Sequence, residues 1–109
     1  MFRAEFLAHA SRHHSVQRVE TQSGPVFVHS LTAGEKDAFD IAHARAKGAD
    51  FRGRLIVATA RDEGGGPLFL DDDVENLSAS PASYVEPLVE AAIHVNRLGD
   101  IESEALAKN

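Results

Sequence analysis

Asp62-Glu63-Gly64-Gly65-Gly66-Pro67-Leu68-Phe69-Leu70-Asp71-Asp72-Asp73-Val74-Glu75-Asn76-Leu77 is the stretch that sets the direction of the rest of the chain. Gly64, Gly65 and Gly66 tolerate positive φ, and Pro67 fixes its own φ and lacks an amide donor, so a sharp reversal is expected here. Leu68 and Phe69 should then drop into a core. Asp71 is placed to accept hydrogen bonds from the free amides of the next turn, with Asp72 and Asp73 at the positive end of that helix's dipole. Val74 and Leu77, three residues apart, share one buried face. The aspartates lack the alternate-position spacing and distal glutamate of a calcium loop, and the glycines lack the Lys-Ser/Thr of a phosphate loop. Helix capping is the reading that fits the aspartates.

Upstream, Val16–Thr21 and Val26–Leu31 are β-compatible runs separated by Gln22-Ser23-Gly24-Pro25, which predicts an antiparallel hairpin. Phe27, His29 and Leu31 face one way and Val26, Val28 and Ser30 the other. His29 is read as a cross-strand packing residue. Before the hairpin, Arg3–Ala10 reads as a short helix with Phe2, Phe6 and either His9 or Ala10 in one stripe. His9, His13 and His14 have no neighbouring carboxylate to orient them and are read as a solvated terminus, not a metal site. After the hairpin, Thr32-Ala33-Gly34-Glu35 is a capping box that starts a helix running to about Lys47, stopped by Gly48. Ala38, Phe39, Ala42 and Ala46 form its narrow apolar face.

Phe51–Ala60 suits either a buried strand or a buried helix, and Gly53 weakens the helical reading; helix is the reading taken. Arg52, Arg54 and Arg61 beside it are read as a solvated rim. Beyond the glycine turn, the last large helix opens either at Ser80-Pro81 or at a capping box of Ser83 and Glu86, the latter placing Pro87 near the first turn. Val85, Leu88, Val89, Ala92, Ile93 and Asn96 then share one face, which puts Asn96 on the buried side, hydrogen bonding to loop backbone near the helix end. Gly99 stops this helix, and Asp100–Lys108 reads as a short terminal helix with Ile101 and Ala105 or Leu106 inward.

The 109 residues show no composition break, so a single domain over residues 1–109 is expected, α+β and mainly helical: a short helix and a β-hairpin, then a bundle of about four helices with a Gly-rich turn. A net charge of -6, from 17 acidic and 11 basic side chains, argues against a nucleic-acid partner. The apolar run Leu55–Ala58 is far below membrane-spanning length, so no membrane partner is expected. Cysteine is absent. That removes disulfides and thiolate metal sites and suits a reducing compartment. No nucleophile elbow or His-Glu metal helix is present, so no catalytic residue, cofactor or metal is assigned.

The order of parts resembles the small tail assembly chaperones of long-tailed bacteriophages and prophages. The likeness runs from about Arg3 to Asn109. Its sharpest parts are Leu31-Thr32-Ala33-Gly34-Glu35, the Asp62-Glu63 turn followed by Leu68-Phe69 and Asp73-Val74, and the neighbourhoods of Leu98 and Lys108-Asn109. The glycine triplet and Pro87 depart from the usual pattern. The resemblance implies a non-enzymatic protein of the host bacterial cytoplasm, absent from the mature virion, that coats the tape measure protein and helps the tail tube protein assemble around it. It also implies self-association into a homo-oligomer and, commonly, a second, longer product made by ribosomal frameshifting. A chaperone needs apolar surface in a soluble frame. The candidate partner-binding residues are Phe27 and Leu31 on the hairpin, Ala38, Phe39 and Ala42 on the following helix, and Ile101 and Leu106 near the carboxy terminus. The competing reading is a structural head-tail joining or tail-completion protein.

Overall fold

A computed structural model describes residues 2–97. The expected stop at Gly99 and the terminal helix carrying Ile101 and Leu106 lie outside the described residues. In order, the elements are α1 (Phe2–Arg12), β1 (Val16–Thr21), β2 (Gly24–His29), α2 (Ala33–Arg45), α3 (Phe51–Thr59), β3 (Ala60–Arg61), α4 (Asp73–Ser78) and α5 (Ala82–Asn96). The architecture is the mainly helical α+β arrangement read from the sequence.

β1 and β2 form the predicted hairpin, but its turn is only Gln22-Ser23, and Gly24 and Pro25 already belong to the second strand. Thr21 closes the turn, its hydroxyl donating to the Gly24 carbonyl at 2.7 Å and accepting from the Ser23 amide at 3.1 Å. Pro25 lies opposite Glu20, where its missing N–H costs the β1 pairing nothing. The alternation is as expected: Val26 and Val28 are buried with Val19, while Phe27 and His29 are half-buried on the other face.

A third strand was not anticipated. Ala60 and Arg61 pair antiparallel with Val28 and Phe27, so the sheet order is β1-β2-β3. The chain turns straight from α3 into this strand and back through the glycine stretch, where Asp62 is the organiser. Its backbone N–H donates to the Gly66 carbonyl at 2.9 Å, its carbonyl accepts from Gly65 at 3.0 Å, and its carboxylate accepts from the Gly66 amide at 3.0 Å. The Leu68 N–H then donates to the Ala60 carbonyl.

The core lies between the sheet and the helices α3 and α5. Val85, Leu88, Val89, Ala91, Ala92 and Val95 of α5 meet Val19, Val26 and Val28 of the sheet and Leu55 and Ile56 of α3. Each fully buried valine, leucine or isoleucine side chain among them contributes about 1.5–3 kcal/mol. Thr59 is buried without penalty because its hydroxyl donates to the Leu55 carbonyl one turn back, at 2.8 Å. Gly53, which counted against a helix in the sequence, is where α3 and α4 touch. A Cβ built on it would lie 2.7 Å from the Val74 carbonyl oxygen and 2.8 Å from the Ser78 hydroxyl.

Several local expectations are corrected. Leu68 is 40% exposed and stays out of the core, because the bridge of Arg61 with Pro67 holds that part of the turn at the sheet margin; only Phe69 packs inward. Asp71 does not cap α4. No side chain caps its first turn, and the Asp73 carboxylate reaches back instead to the Leu70 amide upstream of the helix, at 2.9 Å. α5 starts at Ala82 behind Pro81, so Ser83 and Glu86 form no capping box and Pro87 sits inside the helix. The hydrogen bond it forfeits is to the carbonyl of Ser83, on the exposed side. The Thr32–Glu35 capping box is present in full, with bonds of 2.9 and 3.1 Å. α2 ends at Arg45, where Gly48 N–H donates to the His43 carbonyl and Lys47 N–H to that of Ala44, both at 3.0 Å.

Candidate functional site

α2 does not close down on the rest of the molecule along its whole length. Phe39 anchors it, buried against Phe51 with ring centroids 5.8 Å apart, and His43 stacks on Phe39 with its Nδ1 buried and unpaired. Beside this anchor a groove of about 490 Å³ stays open between α2, α3 and α4. Leu31, Ala38, Phe39 and Ala42 form one side, and Val57, Ala58 and Val74 the other. The small side chains of α2 leave the room: Ala38 is exposed at the rim and Ala42 half-buried.

The structure therefore gathers four of the candidate partner-binding residues, Leu31, Ala38, Phe39 and Ala42, around one groove. Phe39 is only 7% exposed and gives most of its area to the core. Phe27 is not among the lining residues. It lies on the outer face of the sheet in a row with Arg18 and Arg61 on the neighbouring strands, the Arg18 guanidinium 5.8 Å from its ring. Ile101 and Leu106 lie outside the described residues. Sequence reasoning missed the opposite wall, although a signal existed: the run Leu55–Ala58 is apolar all round, and α3 can bury only part of it in the core.

Leu31 also lines a second hollow of about 520 Å³, shared with Phe6, His9, Ala10, His13 and His14. Through it the apolar lining passes from α2 to α1. No residue of α1 is buried, and Phe2, Phe6 and Leu7 are 78%, 59% and 50% exposed, so the predicted stripe exists but faces solvent. His9, His13 and His14 are exposed, and among the described residues no three His, Asp or Glu side chains gather as a metal site would need.

The charged rim is organised. Arg61 donates to Glu35 at 3.3 Å and Arg52 to Glu86 at 3.0 Å, so two of the three arginines read as solvated are half-buried and paired. Arg54 lines the groove, its Nη2 bonded to the Ala49 carbonyl at 3.2 Å and its Nε buried without a partner. Burial, then the nearby Arg61 and His14, push the His29 imidazole below its ordinary pKa, with Glu35 opposing. Glu35 itself is held below the usual carboxylate value, chiefly by the hydrogen bond from the Thr32 backbone amide. Among the described residues no nucleophile stands beside a base.

No protein-family model matches the chain. No curated protein matches it either. Among solved structures, the tail assembly chaperone of bacteriophage HK97 superposes with a TM-score of 0.54 at 13% sequence identity, over 75% of this chain and 85% of that one. The two chains share a fold.

Proposed function

We propose that this chain is a tail assembly chaperone of a long-tailed bacteriophage or prophage. It works in the host bacterial cytoplasm, keeps the tape measure protein soluble, promotes addition of the tail tube protein around it, and is left out of the finished virion. The observation that carries the reading is the open apolar groove beside α2 on a fold shared with the HK97 chaperone. A groove with small residues on one wall and Val57, Ala58 and Val74 on the other suits the apolar stripe of a client helix. Arg54 and Glu35 supply polar contacts at the edges. The protein makes and breaks no covalent bond in this role.

Co-expression with the long helical product of the downstream tail gene tests the reading. That product should move from the insoluble to the soluble fraction when this chain is present. Ala38→Glu, which puts a charge at the groove rim on an exposed position, should abolish the effect without unfolding the protein. Ile41→Glu, on an exposed position of α2 outside the groove, should leave it intact. A client that stays insoluble with the wild-type chain overturns the proposal. So does finding the protein in purified virions at a fixed, ring-sized copy number, which is what a head-tail joining protein would give.

A further inference from the structure

Phe6, His9, Ala10 and His13 of α1 and the turn after it share one helical face, and they wall the hollow that Leu31, Thr32 and Ala33 close from the other side. The lining combines apolar Phe6, Ala10, Leu31 and Ala33 with the imidazoles of His9, His13 and His14, and it contains no carboxylate. Arg3 and Arg12 stand on α1 as well, and Glu5 is its one acid. Glu35, one turn into α2, is already bound by the Thr32 amide and by Arg61. In a chain of net charge -6 this is a basic corner. The ligand that suits it carries apolar side chains for the hollow and carboxylates for its rim.

The chain carries such a segment itself. Residues 98–109 read Leu-Gly-Asp-Ile-Glu-Ser-Glu-Ala-Leu-Ala-Lys-Asn, in which Leu98, Ile101 and Leu106 are apolar and Asp100, Glu102 and Glu104 face only Lys108 in the charge balance. The segment also starts in the right place. Asn96, the last residue of α5, accepts from the Leu31 N–H at 2.6 Å, so the chain leaves the described fold beside one wall of the hollow. A segment of this length reaches about 40 Å when extended, which leaves the hollow within range. We propose that residues 98–109 fold back into the hollow between α1 and the start of α2, with Ile101 and Leu106 against Phe6, Ala10 and Leu31 and the three carboxylates toward the basic side chains of α1.

Docking of this kind has a consequence for the groove. Leu31 lines both spaces, so an occupant of the hollow packs on a residue that a helix in the groove also needs. On the reading that the groove takes a client helix, on which this step rests, residues 98–109 are a competitor built into the chain. The tether holds them near the hollow at high effective concentration, and a client has to displace them. Contacts that are individually weak suffice for this, because an intramolecular partner gives up little translational freedom on docking. The docking itself does not depend on the client.

The chain has no tryptophan, so Ile101→Trp places a single fluorescent reporter in the full-length protein. Adding Ala10→Glu, at an exposed position on the hollow wall, should shift the emission to the red with an unchanged circular dichroism spectrum. The charge reversal D100K/E102K/E104K should do the same. Val16→Glu, in the separate hollow beside Arg97, should leave the emission where it was. The emission should also be independent of protein concentration, and a blue shift that grows with concentration overturns the proposal, since another copy then fills the hollow. In the chain without the reporter, hydrogen exchange at the α1 amides should be faster in D100K/E102K/E104K than in the wild type. Exchange that ignores the reversal, or emission that ignores Ala10→Glu, overturns the docking. In the co-expression assay the triple reversal should solubilise the client at a lower ratio of this chain to client. A released segment with no such gain overturns the competition, whereas a client that no form of the chain solubilises overturns the groove reading and leaves the docking standing.

Discussion

The backbone N–H of Leu31 donates to the side-chain oxygen of Asn96 at 2.6 Å, tying the link between β2 and α2 to the last turn of α5. The amide nitrogen of Asn96 bonds in turn to the Ala92 carbonyl at 2.9 Å and reaches the His29 carbonyl at 3.5 Å. Leu31 lines both hollows, so the bond also positions the residue where they meet. Asn96→Ala leaves the part-buried Leu31 amide without an acceptor and should cost about 1–3 kcal/mol. A urea titration should show the lower midpoint at an unchanged slope.

Gly53→Ala distinguishes a close helix contact from a weak helix. On an exposed helix surface the change would stabilise by about 1 kcal/mol. Here the new methyl would meet the Val74 carbonyl and the Ser78 hydroxyl well inside contact distance. The expected result is destabilisation of about 1–3 kcal/mol, through separation of α3 and α4. A rise in thermal midpoint would show that the helices do not approach here.

The elements that the sequence made legible are those with local causes. The Thr32–Glu35 capping box, the two faces of the hairpin and the placement of Asn96 each follow from residue types at short spacing, and each is present. What escaped depends on distant partners. β3 is two residues long and exists because Val28 and Phe27 offer a strand edge to Ala60 and Arg61, which no pattern within 60–61 encodes. Gly53 was read for its helix propensity, whereas its role comes from Val74 and Ser78, more than twenty residues on. Of the groove, the α2 wall was legible as a small-residue face. The α3 and α4 wall was not, because only the packing decides which side of an all-apolar helix is left over.

Lys47 holds a left-handed backbone, φ 53°, at the end of α2, a position that glycine usually takes. A residue with a Cβ pays about 1–2 kcal/mol there. Replacing it by glycine returns part of that gain to the unfolded chain, about 0.4–1 kcal/mol. Lys47→Gly should therefore stabilise by about 0.5–1 kcal/mol, while Lys47→Ala, which keeps the Cβ, should not. Paired thermal melts of the two variants separate the backbone effect from loss of the charge.

The pH dependence of stability should report His29. Its pKa in the folded protein is lowered, first by burial and then by Arg61 and His14, below the ordinary value of 6.5 that the unfolded chain keeps. Between those two values the unfolded state binds more protons, so stability falls as pH drops through the window and levels off below the folded pKa. Glu35 adds a second loss at lower pH, with the same sign. Its folded pKa lies below the ordinary 4.5, so its contribution is present above that value and disappears as pH falls through the folded one. Urea midpoints should therefore decrease as pH falls below the ordinary histidine value of 6.5 and drop again as it falls below the ordinary carboxylate value of 4.5. His29→Gln should flatten the first decline and spare the second. Glu35→Gln should do the reverse, and a His29→Gln profile that tracks the wild type between those pH values would remove the imidazole from the account.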